Sequence, residues 1–225
     1  TYTRVLYNTL MDLSRSYQSG KNSRNSPLPD KIKEALERTP QQFPVSATVA
    51  CQGVEGAYSQ IACDKLFRQA SITYFRTWEG VFQAVDKGLC RYGVLPIENS
   101  TAGSVNQVYD LMNRYRFHIA RGVRLRVEHT LLAHPGVTLG EITEVYSHEQ
   151  AIQQCGHFLK DHPSIKVHVC ENTAAAARMV AQSERRDVAA ISSRDCGALY
   201  GLTVLEDGIQ DNANNYTRFI CISKE

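Results

Sequence analysis

The sequence predicts an α/β fold in two lobes around a cleft, and three observations carry that expectation. From residue 46 onward, short apolar runs rich in β-branched residues alternate with amphipathic stretches of helical length, the pattern of βα units with mostly parallel strands. The run 117–133 keeps strand-like alternation for much longer than an ordinary strand, which suits a segment crossing from one lobe to the other. A last apolar run, 217–223, can return to the first lobe as a second crossing.

The elements follow in order. Residues 2–17 read as a helix, with Val5, Leu6, Thr9, Leu10 and Leu13 on one face. Gln18 to Pro27 has the composition of a linker, and a short helix over 29–38 precedes Pro40-Gln41-Gln42-Phe43-Pro44. An exposed helix of that length is marginal alone, so residues 1–44 are expected to belong to something larger. The chain does not begin with Met, as expected of a fragment or trimmed chain. Strands are expected at 47–52, 71–75, 91–97, within 117–133, and at 143–147, 166–170, 187–192, 202–206 and 217–223. Helices are expected at 56–69, 78–87, 104–115, 148–161, 173–183 and 194–200. The resulting plan is a first helix in residues 1–20, a linker with a short helix in 21–45, and a main domain over 46–225. Lobe one takes about 46–122 plus 208–225, and lobe two about 123–207. Two such lobes joined by two extended crossings make a hinged cleft like that of type II periplasmic binding proteins.

Composition narrows the function. The 225 residues are 43% hydrophobic and 21% charged, ordinary for a soluble globular protein with a sizeable core. No apolar run reaches membrane-spanning length, and no signal-peptide segment opens the chain. Residues 1–44 hold seven Lys/Arg against four Asp/Glu, whereas the remainder is nearly neutral, so there is no basic stripe of the kind nucleic acid requires. The seven cysteines are scattered, with no C-x-x-C, and no histidine pair has H-E-x-x-H spacing, so no metal site is expected. Cys51, Cys170 and Cys221 sit in apolar runs, which suits reduced core thiols and a cytoplasmic location.

Four strand-to-helix loops are rich in hydroxyls and amides: 52–59, 96–104, 147–150 and 171–173. Each precedes a helix start, where free N–H groups and the helix dipole favour an anion. The first two loops belong to lobe one and the others to lobe two. Converging helix starts with few cations suggest a small ligand bearing carboxylates.

Each feature also has a plainer reading. Ser104-x-x-Gln107 and Ser147-x-x-Gln150 are capping-box patterns that helix initiation alone explains. Gly53, Gly56 and Gly103 can simply permit turns. His148 beside Glu149 is a candidate base or a solvated helix start. Gln154 lies on the helical face of Ser147, toward a ligand or toward solvent. Glu98 and Glu171 can form an acid/base pair, but bare carboxylates repel an anionic substrate, which favours a role in holding loops. Asn214-Asn215-Tyr216-Thr217-Arg218-Phe219 places a hydroxyl and a guanidinium at the mouth of a buried strand, where open α/β sheets handle ligands. In a regular strand Thr217 and Arg218 point to opposite faces, so both reach one ligand only across a twist or bulge.

Together the stretches Gly53-x-x-Gly-Ala-Tyr-Ser59, Gly93-Val-Leu-Pro-Ile-Glu-Asn-Ser-Thr-Ala-Gly-Ser-Val105, Ser147-His-x-Gln-x-x-x-Gln-Cys155, Asn172-Thr-Ala-Ala-Ala176, Ala189-Ala-Ile-Ser-Ser193 and Asn215-Tyr-Thr-Arg-Phe219 resemble the prephenate dehydratase domain, in that family's order and over roughly 47–222. Residues 2–17 look like the last helix of an AroQ-type chorismate mutase, as fused ahead of this domain in bifunctional enzymes; with the other mutase helices missing, mutase activity is expected to be absent. The chain stops where family members usually continue into a phenylalanine-binding ACT domain, which implies a catalytic fragment without that inhibition.

The resemblance implies a lyase of phenylalanine biosynthesis that converts prephenate to phenylpyruvate, CO2 and water without metal or organic cofactor. It implies Thr217 as the catalytic residue facing the leaving hydroxyl. Asn99, Ser100, Thr101, Ser147, Gln154 and Arg218 are expected to contact substrate, with Glu98, Glu171, Gly53, Ser59, Asn172 and Thr173 in support. A fork-shaped guanidinium at Arg218 suits a carboxylate. A homodimer is expected. Arogenate dehydratase activity, or a non-catalytic sensor of small carboxylates, are the alternatives.

Overall fold

The structure is a computed structural model that describes residues 2–22, 27–39 and 42–224. The chain divides into two compact units, Thr1–Pro44 and Val45–Glu225. The first holds helices α1 (Tyr2–Asn22) and α2 (Leu28–Arg38). Helix α1 runs past the expected end at residue 17 and through Gly20, so the linker expected from Gln18 begins later; its residues 23–26 lie outside the described ones. Val5, Leu6, Leu10 and Leu13 are exposed along α1.

The second unit alternates strand and helix. Its elements are β1 (Ser46–Gln52), α3 (Tyr58–Leu66), β2 (Gln69–Phe75), α4 (Trp78–Asp86), β3 (Tyr92–Asn99), β4 (Gly103–Ser104), α5 (Asn106–Tyr115) and β5 (His118–Arg126). Then follow β6 (Thr130–Ala133), a 3-10 turn at Leu139–Glu141, β7 (Glu144–His148), α6 (Glu149–Gln154), α7 (Gly156–Asp161), β8 (Lys166–Cys170), α8 (Thr173–Gln182), β9 (Val188–Ser192), α9 (Arg194–Tyr200), β10 (Thr203–Glu206) and β11 (Tyr216–Ser223).

These strands form two sheets, ordered β2-β1-β3-β11-β5 (with β4 on β3) and β10-β6-β9-β7-β8. The long run 117–133 does cross, because β5 lies in the first sheet and β6 in the second. The chain returns between β10 and β11. The expectation of mostly parallel strands needs correction. Strands β11 and β5 pair antiparallel in the first sheet, as do β10, β6 and β9 in the second, so both sheets are mixed. The crossings cause this: a strand entering from the other lobe runs against its neighbours.

Central strands are buried on both faces, so β9 and the end of β11 read as continuous apolar runs. One core gathers Phe82, Leu95, Val108, Phe117, Ile220 and Ile222 beneath the first sheet. Two others pack Leu131, Val145, Phe158 and Ile191, and Leu132, Ala177, Val180 and Cys196, around the second.

Two expected helices differ in a way that shapes the cleft. The helix expected over 104–115 starts at Asn106; Ser104 is not its cap but pairs with Glu98 in a short hairpin. Gly103, at φ +82, takes the left-handed turn this hairpin needs. The helix expected over 148–161 breaks at Cys155. Asp211 causes the break: its N–H donates to the Gln154 carbonyl at 2.7 Å, and its carboxylate accepts the N–H groups of Gly156 and His157 at 3.0 and 2.9 Å. Gln154 is thereby left at a helix end, facing the cleft.

Candidate active site

The four hydroxyl- and amide-rich loops meet around one cavity of about 350 Å³ in the second unit, within the range of small-molecule sites. Gln52, Gly53, Tyr58 and Ser59 come from the first loop, and Pro96 and Asn99 from the second. Lobe two contributes His148 and Gln150, then Glu171, Asn172 and Thr173. The strand β11 supplies Thr217 and Phe219, and the crossings supply Val127, His129 and Asn215. None of the described lining residues is Lys or Arg, and the acidic one among them is Glu171. The helix starts that border the cavity, those of α3 and α8 among them, present backbone N–H groups and dipole ends that favour an anion.

Backbone conformation fixes the central side chains. Asn99 ends β3 at a tight turn, where its Oδ1 accepts the N–H groups of Thr101 and Ala102 at 2.9 and 2.8 Å. Its Nδ2 then donates in two directions, to Thr217 Oγ1 and to Asn215 Oδ1, both at 2.9 Å. Asn215 Nδ2 continues to Gln154 Oε1 at 2.9 Å, and His129 Nε2 meets the same oxygen at 2.8 Å. Five side chains from both lobes and both crossings thus form one relay. The crossings are tied to each other as well, through Val127 N–H to the Asn215 carbonyl at 2.8 Å and Ile209 N–H to the His129 carbonyl at 3.0 Å.

His129 is only 3% exposed. Burial disfavours its charged form and lowers its pKa, an effect partly offset by the hydrogen bond with Gln154. Tyr58 is raised well above the ordinary phenol range, chiefly by burial. Its hydroxyl donates to the Glu128 carbonyl at 2.6 Å and accepts the Glu128 N–H at 3.1 Å, which clamps helix α3 to the first crossing.

Of the residues expected from sequence, Asn99, Gln154, Thr217, Gly53, Ser59, Glu171, Asn172 and Thr173 line this cavity. Asn172 also caps α8, accepting Ala175 N–H at 2.7 Å. Thr101 lines an adjoining pocket with Gln153 and Asn212. Ser100 lies outside both and clamps β11: its Oγ donates to the Asn214 carbonyl at 3.0 Å and accepts the Tyr216 N–H at 2.9 Å.

Three further expected site residues lie away from the cavity. Ser147 is fully buried and donates to the Ile191 carbonyl at 2.7 Å, so it joins β7 to β9 instead of facing a ligand. Nor does it cap the helix, since His148 Nδ1 accepts the Gln150 N–H there. Glu98 lies in β3, not in the loop expected over 96–104, and faces Arg218 at 3.8 Å on the outer side of the sheet. Arg218 is 62% exposed there. A bulge is present beside it, where the register skips Ile97 between Arg218↔Glu98 and Phe219↔Pro96. It lets Pro96 and Asn99 both line the cavity but leaves Arg218 pointing out, because Thr217, Arg218 and Phe219 keep strict alternation.

Sequence reasoning passed over His129, Tyr58 and Trp78. The signal for His129 was its parity with Leu125, Val127 and Leu131, which puts a histidine on a buried face.

Comparison with known proteins agrees with this architecture. A model of the family described as "Prephenate dehydratase" matches residues 49–225. The chain belongs to the prephenate dehydratase family. It is 43% identical over 178 residues to "Arogenate dehydratase/prephenate dehydratase 6, chloroplastic" of Arabidopsis thaliana, covering 79% of this chain and 43% of that protein. It is 37% identical over 186 residues to the "Bifunctional chorismate mutase/prephenate dehydratase" of Escherichia coli, covering 81% of this chain and 48% of that protein. The chain thus spans less than half the length of these relatives. Among solved structures, the prephenate dehydratase of Arthrobacter aurescens in complex with L-Phe superposes with a TM-score of 0.73 at 27% identity, covering 79% of this chain and 60% of that one. The prephenate dehydratase fold therefore accounts for the two mixed sheets and the cleft between them.

Proposed function

We propose that this chain catalyses the decarboxylating dehydration of prephenate to phenylpyruvate, CO2 and water. The observation that carries the reading is the Thr217 hydroxyl. Its oxygen accepts from Asn99, so its O–H stays available to a ligand in the cavity. As the bond to the ring carboxylate breaks, its electron pair enters the ring, which becomes aromatic. The ring C–O bond breaks with its pair on oxygen. The Thr217 O–H meets the departing hydroxide, and a proton from solvent completes the water. Aromatisation supplies the driving force; a positioned proton donor adds about 10²–10⁴-fold.

Glu171 favours a second substrate, arogenate, because a carboxylate on the cavity wall attracts an ammonium where the keto group of prephenate offers none. The relatives named for arogenate point the same way. Rates of phenylpyruvate formation from prephenate and of phenylalanine formation from arogenate decide between them; ligand-induced closure with neither product would identify a sensor instead. The remaining parts of the reading are that α1 derives from an AroQ-type mutase helix, that the protein forms a homodimer, and that it works in the cytoplasm. The bifunctional relative supports the first, and no described helix is long and apolar enough to cross a membrane.

A further inference from the structure

The direction of the amide relay is set by groups that cannot turn around. Thr101 and Ala102 present backbone N–H groups, so Asn99 must direct its Oδ1 to them and its Nδ2 to Asn215 and Thr217. Asn215 must then accept with Oδ1 and donate with Nδ2. Gln154 must offer Oε1, and His129 Nε2, 2.8 Å from that oxygen, must carry the proton. His129 Nδ1 is correspondingly bare, and it is buried without a partner. If Nε2 were the bare nitrogen, Gln154 would turn its NH2 toward it. Donors would then face each other along the chain until Asn99 lost its two backbone partners or Thr217.

We propose that His129 is a positioning residue for the dehydration: by donating from Nε2 to Gln154 it closes the relay at the end opposite Thr101 and Ala102, and so keeps Gln154 and Asn215 placed where Asn99 leaves the Thr217 hydroxyl oxygen an acceptor and its O–H free for substrate. The inference rests on the function proposed above. It assigns His129 a role that acts through Gln154, Asn215 and Asn99, without contact to the reacting atoms.

The test uses the full chain with His129→Gln, His129→Asn and His129→Leu. A glutamine places an amide N–H near the position of Nε2, an asparagine near Nδ1, and a leucine nowhere. His129→Leu and His129→Asn are expected to lose about 10²-fold in kcat, the scale of a misplaced catalytic group, with KM little changed. His129→Gln is expected to recover most of that loss. In the wild-type protein, two-bond ¹H–¹⁵N spectra of His129 should show Nε2 protonated and Nδ1 bare. Near-normal kcat in His129→Leu, a glutamine variant no better than the asparagine one, or the opposite tautomer would each overturn the inference. If the leucine variant does not fold, the glutamine and asparagine pair and the wild-type tautomer still decide. Wild-type protein that turns over neither prephenate nor arogenate removes the underlying function as well, whereas an active wild type with indifferent variants removes His129 alone.

Discussion

Asn99 Nδ2 lies 2.9 Å from Thr217 Oγ1, across an antiparallel register that puts these two residues directly opposite each other. A bulge at Ile97, two residues back along β3, separates this pair from the rest of the ladder. The pairing gives the threonine an N–H donor, which polarises its hydroxyl and leaves its proton for a ligand. Thr217→Ala is expected to lower kcat by about 10²–10⁴-fold with little change in melting temperature. Asn99→Asp should lose turnover comparably, because a carboxylate cannot donate and instead captures the Thr217 proton. Turnover of both variants on prephenate checks the claim; near-normal rates in either would remove the pair from catalysis.

Ser147 should prove structural. Its buried hydroxyl serves the Ile191 carbonyl, so Ser147→Ala is expected to destabilise by about 1–3 kcal/mol through an unpaired acceptor. KM should stay unchanged. Urea denaturation beside steady-state kinetics separates the two effects.

Arg218 should be dispensable for binding. The ion pair with Glu98 is long, at 3.8 Å, and both side chains are more than half exposed, so it contributes at most about 1 kcal/mol. Arg218→Ala is expected to leave KM for prephenate as it is. A large rise in KM would mean that the guanidinium turns into the cavity on binding.

Gly56 is held where no other residue fits well. Its φ is +86, and an added Cβ would come within 2.9 Å of Cys196 Sγ in the opposite lobe. The loop is fastened there by Cys196 Sγ–H to the Gly56 carbonyl at 3.3 Å and by Tyr200 hydroxyl to the Glu55 carbonyl at 2.7 Å. Gly56→Ala should cost about 1–3 kcal/mol and loosen the contact between the lobes. Thermal unfolding measures the first, and hydrogen exchange at residues 55–57 the second.

His129 makes stability depend on pH. Its folded pKa lies below the ordinary value of 6.5, so the unfolded chain binds this proton more readily than the folded one. Its contribution is fully present above pH 6.5 and is lost as pH falls from there through the folded pKa. His129→Gln should flatten the decline in melting temperature over that interval. An unchanged slope would show that other groups set it.

Much of this protein was legible in the chain alone. Strand and helix periodicity placed nearly every element of the second unit, and the overlong run at 117–133 revealed the crossing. Local chemistry also marked the polar loops that hold Asn99, Glu171 and Asn172 and the strand mouth at Thr217, while the family resemblance supplied the roles expected of Asn99 and Thr217. What sequence could not decide was direction. Ser147 and Arg218 have the right chemistry and position along the chain, yet one side chain turns into the sheet and the other toward solvent. Strand alternation allows either face; the pairing of β11 with β3, with its bulge at Ile97, selects one for Arg218, and the packing of β7 beside β9 selects one for Ser147. Gln154 faces the cleft because Asp211, distant in sequence, ends its helix. The relay through Asn215 to His129 exists only once both crossings lie side by side. Periodicity records which residues share a surface; which surfaces meet is a property of the packed lobes.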